Sequence, residues 1–78
     1  MSKTKNLSMG EDIAITVNGD ARRVPADLTV AGLLDHLGLV GGKVAVERNK
    51  EIAPRSLFNE MMITDGDTIE IVRFVGGG

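Results

Sequence analysis

Ile13-Ala14-Ile15-Thr16-Val17-Asn18-Gly19 places Ile13, Ile15 and Val17 on one side of an extended chain. Alternation with period two marks a strand with one buried face. Asn18-Gly19 follows at once, and Asn-Gly supplies the positive φ values of a type I′ turn. The chain is therefore expected to return as a hairpin from Ala21 to Val24, ending at Pro25, which cannot donate to a ladder. A sheet with one apolar face needs a cover, and the next stretch offers one. From a candidate cap at Thr29, Val30, Leu33, Leu34 and Leu37 fall at i, i+3, i+4 and i+7, one stripe along a two-turn helix. Gly38 suits the left-handed residue that closes such a helix. Gly32 weakens the helix slightly and is expected to let it approach the sheet closely.

The rest of the chain returns to period two. Val44 and Val46 share a side in a third strand over Lys43 to Glu47. Arg48-Asn49-Lys50 turns into a short strand, Glu51-Ile52-Ala53, closed by Pro54. Ser56 to Met62 is expected to hold one helical or 3₁₀ turn that buries Leu57 and Met61. Asp65-Gly66-Asp67 forms a tight turn, and Thr68 to Val75 is the last strand, with Ile69 and Ile71 on its buried face. By parity Glu70, Val72 and Phe74 point away from the helix. The architecture implied is α+β, a mixed sheet covered by one main helix. A first hairpin, a crossover helix and a final strand inserted beside the first describe a β-grasp, the ubiquitin-like roll. Residues 1–12 read as a flexible leader, 13–75 as the domain and 76–78 as a flexible tail.

Composition narrows the function. At 78 residues there is room for one small domain and little for a complete enzyme active site. The formal net charge is −2 and there are two aromatics, Phe58 and Phe74. That disfavours nucleic acid, whose binding relies on a basic face and stacking rings. There is no apolar run near the ~20 residues of a membrane span, and the leader lacks the apolar core of a signal peptide. The absence of cysteine removes disulfides, thiolate metal sites and thiol catalysis. A cytoplasmic location is the simplest expectation.

Three motifs invite more than they support. Gly38-Leu39-Val40-Gly41-Gly42-Lys43 imitates a phosphate-binding loop. However, its glycine spacing is one short, Val44 replaces Ser/Thr, and it joins helix to strand. Asp65 and Asp67 suggest a metal but lack further ligands in register. His36 falls off the apolar stripe with no carboxylate beside it and reads as solvent-facing.

The chain ends on Phe74-Val75-Gly76-Gly77-Gly78. Three glycines in a row arise by chance in roughly 0.03% of ends. Without a Cβ such a tail can thread a narrow channel, and it carries an unhindered carboxylate. Extended, residues 75–78 reach ~14 Å. A carboxylate on a thin arm can attack the α-phosphate of ATP in a partner's active site.

Taken together, Ile15-Thr16-Val17-Asn18-Gly19, Thr29-Val30 with Leu33-Leu34, Val44-Ala45-Val46-Glu47-Arg48-Asn49, Ile52-Ala53-Pro54-Arg55-Ser56 and Asp65-Gly66-Asp67-Thr68-Ile69-Glu70-Ile71-Val72 resemble the ThiS family of thiamine-biosynthesis sulfur carriers. The resemblance runs from about Ile13 to the final glycines. It implies a protein substrate and not an enzyme, with no cofactor bound. A ThiF-like adenylyltransferase uses MgATP to adenylate the carboxylate of Gly78. A persulfide donor then leaves a thiocarboxylate, and a ThiG-like thiazole synthase takes the sulfur. Gly77 is the other tail residue that must fit both partners, and Gly76 is a tolerated extra hinge in the tail. The outward Val72 and Phe74, with Val75, are expected to dock on the partners. Three alternatives share parts of this pattern. A molybdopterin synthase small subunit usually has a proline-bearing tail and a longer helix-to-strand link. A lysine-conjugating modifier would share the tail. A non-carrier β-grasp interaction module would not need the exposed end.

Overall fold

A computed structural model of the chain describes residues 11–39 and 43–74. In chain order these form β1 (Asp12–Val17), β2 (Asp20–Pro25), α1 (Val30–His36), β3 (Val44–Arg48), β4 (Glu51–Ala53), a 3₁₀ turn at Arg55–Leu57 and β5 (Thr68–Arg73). The five strands make one sheet in the order β2-β1-β5-β3-β4. β5 lies parallel to β1 and antiparallel to β3, so the last strand is inserted at the centre as expected.

The hairpin turns where the sequence says. Asn18 and Gly19 take φ of 50° and 87°, and Val17 pairs with Asp20. Several strand boundaries differ from the sequence reading: β3 runs Val44–Arg48 in place of Lys43 to Glu47, and β5 ends at Arg73. Asp12, assigned to the leader, is the first residue of β1, and Pro25 is the last of β2; the two are partners. Pro25 sits on an edge strand, where its missing N–H costs no ladder bond. Beyond it the Ala26 N–H donates to the Glu11 carbonyl at 3.1 Å.

α1 has seven residues, too few to persist alone in water. Packing and end contacts hold it. Val30 and Leu33 are fully buried and Leu34 nearly so, each such side chain contributing about 1.5–3 kcal/mol. They join Ile15, Val17, Val24, Val44, Val46, Ala53, Ile63, Ile69 and Ile71 in one core. At the N-terminus the Val30 N–H donates to the Met61 carbonyl (2.8 Å) and the Ala31 N–H to Phe58 (2.9 Å). The Gly32 N–H donates to Thr29 Oγ1 (3.0 Å). Three donors that a helix start leaves open are thereby satisfied inside the protein. At the other end Gly38, with φ of +80°, donates to Asp35 and Leu39 donates to Leu34, the two bonds of a Schellman closure. Thr29→Ala is expected to cost about 1 kcal/mol, seen as a fall in Tm of roughly 4–8 °C. An unchanged Tm would mean that the segment from Phe58 to Met61 holds the first turn unaided.

Gly32 does not bring the helix to the sheet. A Cβ there would meet Leu28 Cδ2 at 3.2 Å and Thr29 Oγ1 at 3.5 Å, so the small residue leaves room for the chain leading into the helix. The segment after β4 also differs in detail. Leu57 is exposed, whereas Phe58 and Met61 pack against the core and Ile63 is among its most buried side chains. The Ile63 N–H donates to the Leu28 carbonyl, which draws that side chain inward.

Candidate functional site

The final strand organises the surface of interest. Ile69 and Ile71 are buried under the helix while Glu70, Val72 and Phe74 are outward. Val72 is 58% and Phe74 59% exposed. Phe74 therefore does not fold back over the core, and its N–H still bonds the Lys43 carbonyl at 2.9 Å. Directly across on β3, Val72 faces Ala45 and Glu70 faces Glu47, which in turn faces Ile52 on β4. Ile52 is 66% exposed, an outward apolar group that the sequence reading passed over. It lies on the same uncovered sheet face. Val75 and the three glycines, including Gly78, lie outside the described residues.

Two polar devices pin β5 in place, and sequence reasoning saw neither. Paired residues of β1 and β5 end at Val17 and Ile69. There the Asn18 N–H donates to the Ile69 carbonyl (2.9 Å). The Asn18 side chain then acts as one more peptide unit: its amide donates to the Ile71 carbonyl (3.2 Å) and its oxygen accepts from the Ile71 N–H (2.8 Å). The turn residue thus carries β-type pairing two residues farther along the strand that leads to the tail.

At the other end of β5, the Asp67 carboxylate is buried. Its Oδ2 accepts from Arg48 Nε (3.1 Å) and the Thr64 N–H (2.8 Å). Its Oδ1 accepts from Asn49 Nδ2 and Thr64 Oγ1, both at 3.0 Å. Asn49 Oδ1 accepts from the Thr68 N–H. Burial pushes this carboxyl up, but the Thr64 N–H, the Asn49 amide, the Thr64 hydroxyl and the Arg48 guanidinium outweigh it. The group is held below the usual carboxylate value. Asn49 and Lys50 take φ of 53° and 72°, a left-handed pair without glycine. Those side-chain bonds hold Asn49 there against its steric cost. Asp65 accepts from the Ala14 N–H at 2.8 Å, so both aspartates of the turn serve as structural acceptors. His36 is exposed. Among the described residues no group of three His, Cys, Asp or Glu side chains is placed to hold a metal ion. No described helix is long and apolar enough to cross a membrane.

Val72 and Ile52 thus lie exposed on the sheet face away from the helix, on and near the strand that precedes the C-terminal glycines. Comparison with known proteins identifies the family. The sequence profile of the ThiS family matches residues 12–78. The chain belongs to the ThiS family. The sulfur carrier protein ThiS of Bacillus subtilis is 48% identical over 50 residues, covering 64% of this chain and 76% of that one. A thiazole synthase of Paramagnetospirillum magneticum is 48% identical over 64 residues. That match covers 82% of this chain but 20% of the relative, so the chain spans about a fifth of that protein's length. The crystal structure of a ThiS thiamine biosynthesis protein from Geobacter metallireducens superposes with a TM-score of 0.73 at 36% identity. It covers 85% of this chain and all of that one. The β-grasp arrangement expected from the sequence is thus shared with a ThiS structure.

Proposed function

We propose that this chain is a sulfur carrier of thiamine thiazole biosynthesis, acting as a protein substrate and not as a catalyst. The observation that carries the reading is the family match, which runs through the glycines at 76–78. The outward Val72 and Phe74 on the strand leading to them support it. The chemistry follows from the weakness of a carboxylate as an electrophile. A Gly78 carboxylate oxygen attacks the α-phosphate of MgATP held by a ThiF-like adenylyltransferase, and pyrophosphate leaves. In the mixed anhydride AMP becomes a leaving group, so a donor persulfide can attack the acyl carbon. Cleavage of the resulting S–S bond by a thiol leaves the thiocarboxylate. A ThiG-like thiazole synthase then withdraws the sulfur. The glycines allow the tail to enter both sites because no Cβ meets the channel wall, and the lack of cysteine leaves no competing thiol on the carrier.

Intact mass measured after incubation with a cognate adenylyltransferase, ATP and sulfide tests this. One oxygen is expected to be replaced by one sulfur, and fragmentation is expected to place the change on Gly78. A variant with one residue appended after Gly78 should remain unmodified. Sulfur on an internal residue, or no ATP-dependent change with several such enzymes, would sink the reading.

A further inference from the structure

The chain holds one Asn-Gly pair, Asn18-Gly19, and one Asp-Gly pair, Asp65-Gly66. A glycine after Asn or Asp leaves its own backbone nitrogen unhindered, because it has no Cβ. That nitrogen can close a five-membered imide on the preceding side-chain carbonyl. In the fold the two pairs differ. At Asp65-Gly66 both reacting groups are occupied on β1: the carboxylate accepts from the Ala14 N–H (2.8 Å), and the Gly66 N–H donates to the Ala14 carbonyl (2.7 Å). At Asn18-Gly19 the nucleophile is open. Gly19 is exposed, and apart from its chain neighbours no heavy atom lies within 4 Å of a Cβ built there. Its N–H has no hydrogen-bond partner among the described residues. Only the side-chain amide of Asn18 is held, by its bonds to the Ile71 carbonyl (3.2 Å) and N–H (2.8 Å). Ring closure swings the Asn18 Cγ onto the Gly19 nitrogen and expels the very NH₂ that donates to Ile71. The clasp and the reaction therefore exclude each other.

We propose that Asn18 is a site of spontaneous deamidation, gated by opening of its clasp on Ile71, and that the modified residue cannot re-form the clasp. The Gly19 nitrogen attacks the Asn18 Cγ, a C–N bond forms, and the side-chain nitrogen leaves as ammonia with the proton from Gly19. Water then opens the imide. Addition at Cγ gives aspartate. Addition at the main-chain carbonyl gives isoaspartate, in which the backbone runs through the former side chain. One water enters and one ammonia leaves, with no change of oxidation state. Both products lack the nitrogen that donated to the Ile71 carbonyl, and isoaspartate also lengthens the turn by a methylene. Paired residues of β1 and β5 end at Val17 and Ile69. Among the described residues it is the Asn18 side chain that pairs with Ile71 on the β1 side. The strand loosened is the one that leads to the glycines. None of these steps needs a partner protein, so the reaction holds whether or not the chain carries sulfur.

The full chain is incubated in mildly alkaline buffer, folded and in urea, and peptide mass spectrometry with isoaspartate detection follows each asparagine. In urea, residue 18 is expected to convert ahead of Asn6, Asn49 and Asn59, which precede Leu7, Lys50 and Glu60. Folding should slow conversion at residue 18 by about tenfold or more, since only clasp-open molecules react. The deamidated chain carries one more negative charge and separates by ion exchange. In it, and in Asn18→Asp, the Ile71 amide hydrogen is expected to exchange about tenfold faster than in the parent. The Ile63 amide, bonded to the Leu28 carbonyl and remote from the clasp, should keep its rate. Equal conversion at residue 18 in the folded chain and in urea overturns the inference. Faster conversion at another asparagine in urea also overturns it, as does a deamidated chain whose Ile71 amide exchanges as slowly as in the parent.

Discussion

Phe74→Asp is expected to weaken the complex with the adenylyltransferase and that with the thiazole synthase by roughly thirty-fold each, or about 2 kcal/mol. The folded domain should scarcely notice. The ring is 59% exposed and outside the buried core, so the substitution removes little packing. The strand bond at this position is made by the backbone, from the Phe74 N–H to the Lys43 carbonyl. Surface changes of this kind usually move stability by less than about 0.5 kcal/mol, or a Tm shift under about 4 °C. The same residue would serve both partners because it lies immediately before the tail that both must receive. The two enzymes would then compete for one carrier. Circular dichroism with calorimetric titration separates the outcomes. A domain that unfolds on Phe74→Asp would make the ring structural, and an intact domain with unchanged affinities would put the docking surface elsewhere.

How much of this was legible beforehand depends on the kind of signal. Period two in Ile13-Ile15-Val17 and in Ile69-Ile71, and period 3.6 in Val30-Leu33-Leu34-Leu37, report a buried face directly, because burial dictates the residue type at each step. Those elements and the outward parity of Val72 and Phe74 follow from pattern alone. Asn18-Gly19 was readable as a turn for an equally local reason. Leu57 misled because it heads an apolar group in an irregular segment. With no period to set its phase, residue type alone cannot say that Phe58, Met61 and Ile63 turn inward and Leu57 outward. Ile52 was missed because a three-residue edge strand gives too few steps to fix a face. The polar clasps are the least legible. Asn18 meets Ile71 and Asp67 meets Arg48 across 53 and 19 residues of chain, and nothing in the local composition announces such partners. Residues 75–78 lie outside the described residues, so the tail argument rests on its chemistry and on the family match.

The clasp around Asp67 predicts the largest stability effect. Asp67→Ala leaves Arg48 Nε, Asn49 Nδ2, the Thr64 N–H and the Thr64 hydroxyl without their acceptor. Arg48 and Thr64 can recover water, Arg48 being partly exposed and Thr64 exposed, so the loss falls short of that for a sealed ion pair. A cost of about 2–3 kcal/mol is expected. Asp67→Asn should be little better, although it keeps the shape. Turned one way, its NH₂ faces Arg48 Nε and the Thr64 N–H, both donors; turned the other way, it faces the donor Asn49 Nδ2 and has only the Thr64 hydroxyl to accept from it. Acid separates charge from shape. The folded-state carboxyl lies below 3.8, the value of the free group, so the unfolded chain takes up the proton first as pH falls. The Asp67 contribution is therefore fully present above the unfolded value. It is lost as pH falls through the depressed folded value. The Asp67→Asn domain has no such group to titrate. Urea unfolding at neutral pH and again below the unfolded carboxylate value should show the gap between wild type and D67N narrowing in acid. A gap that stayed constant across that range would mean that the clasp holds β5 by geometry alone, with the charge on Asp67 contributing nothing.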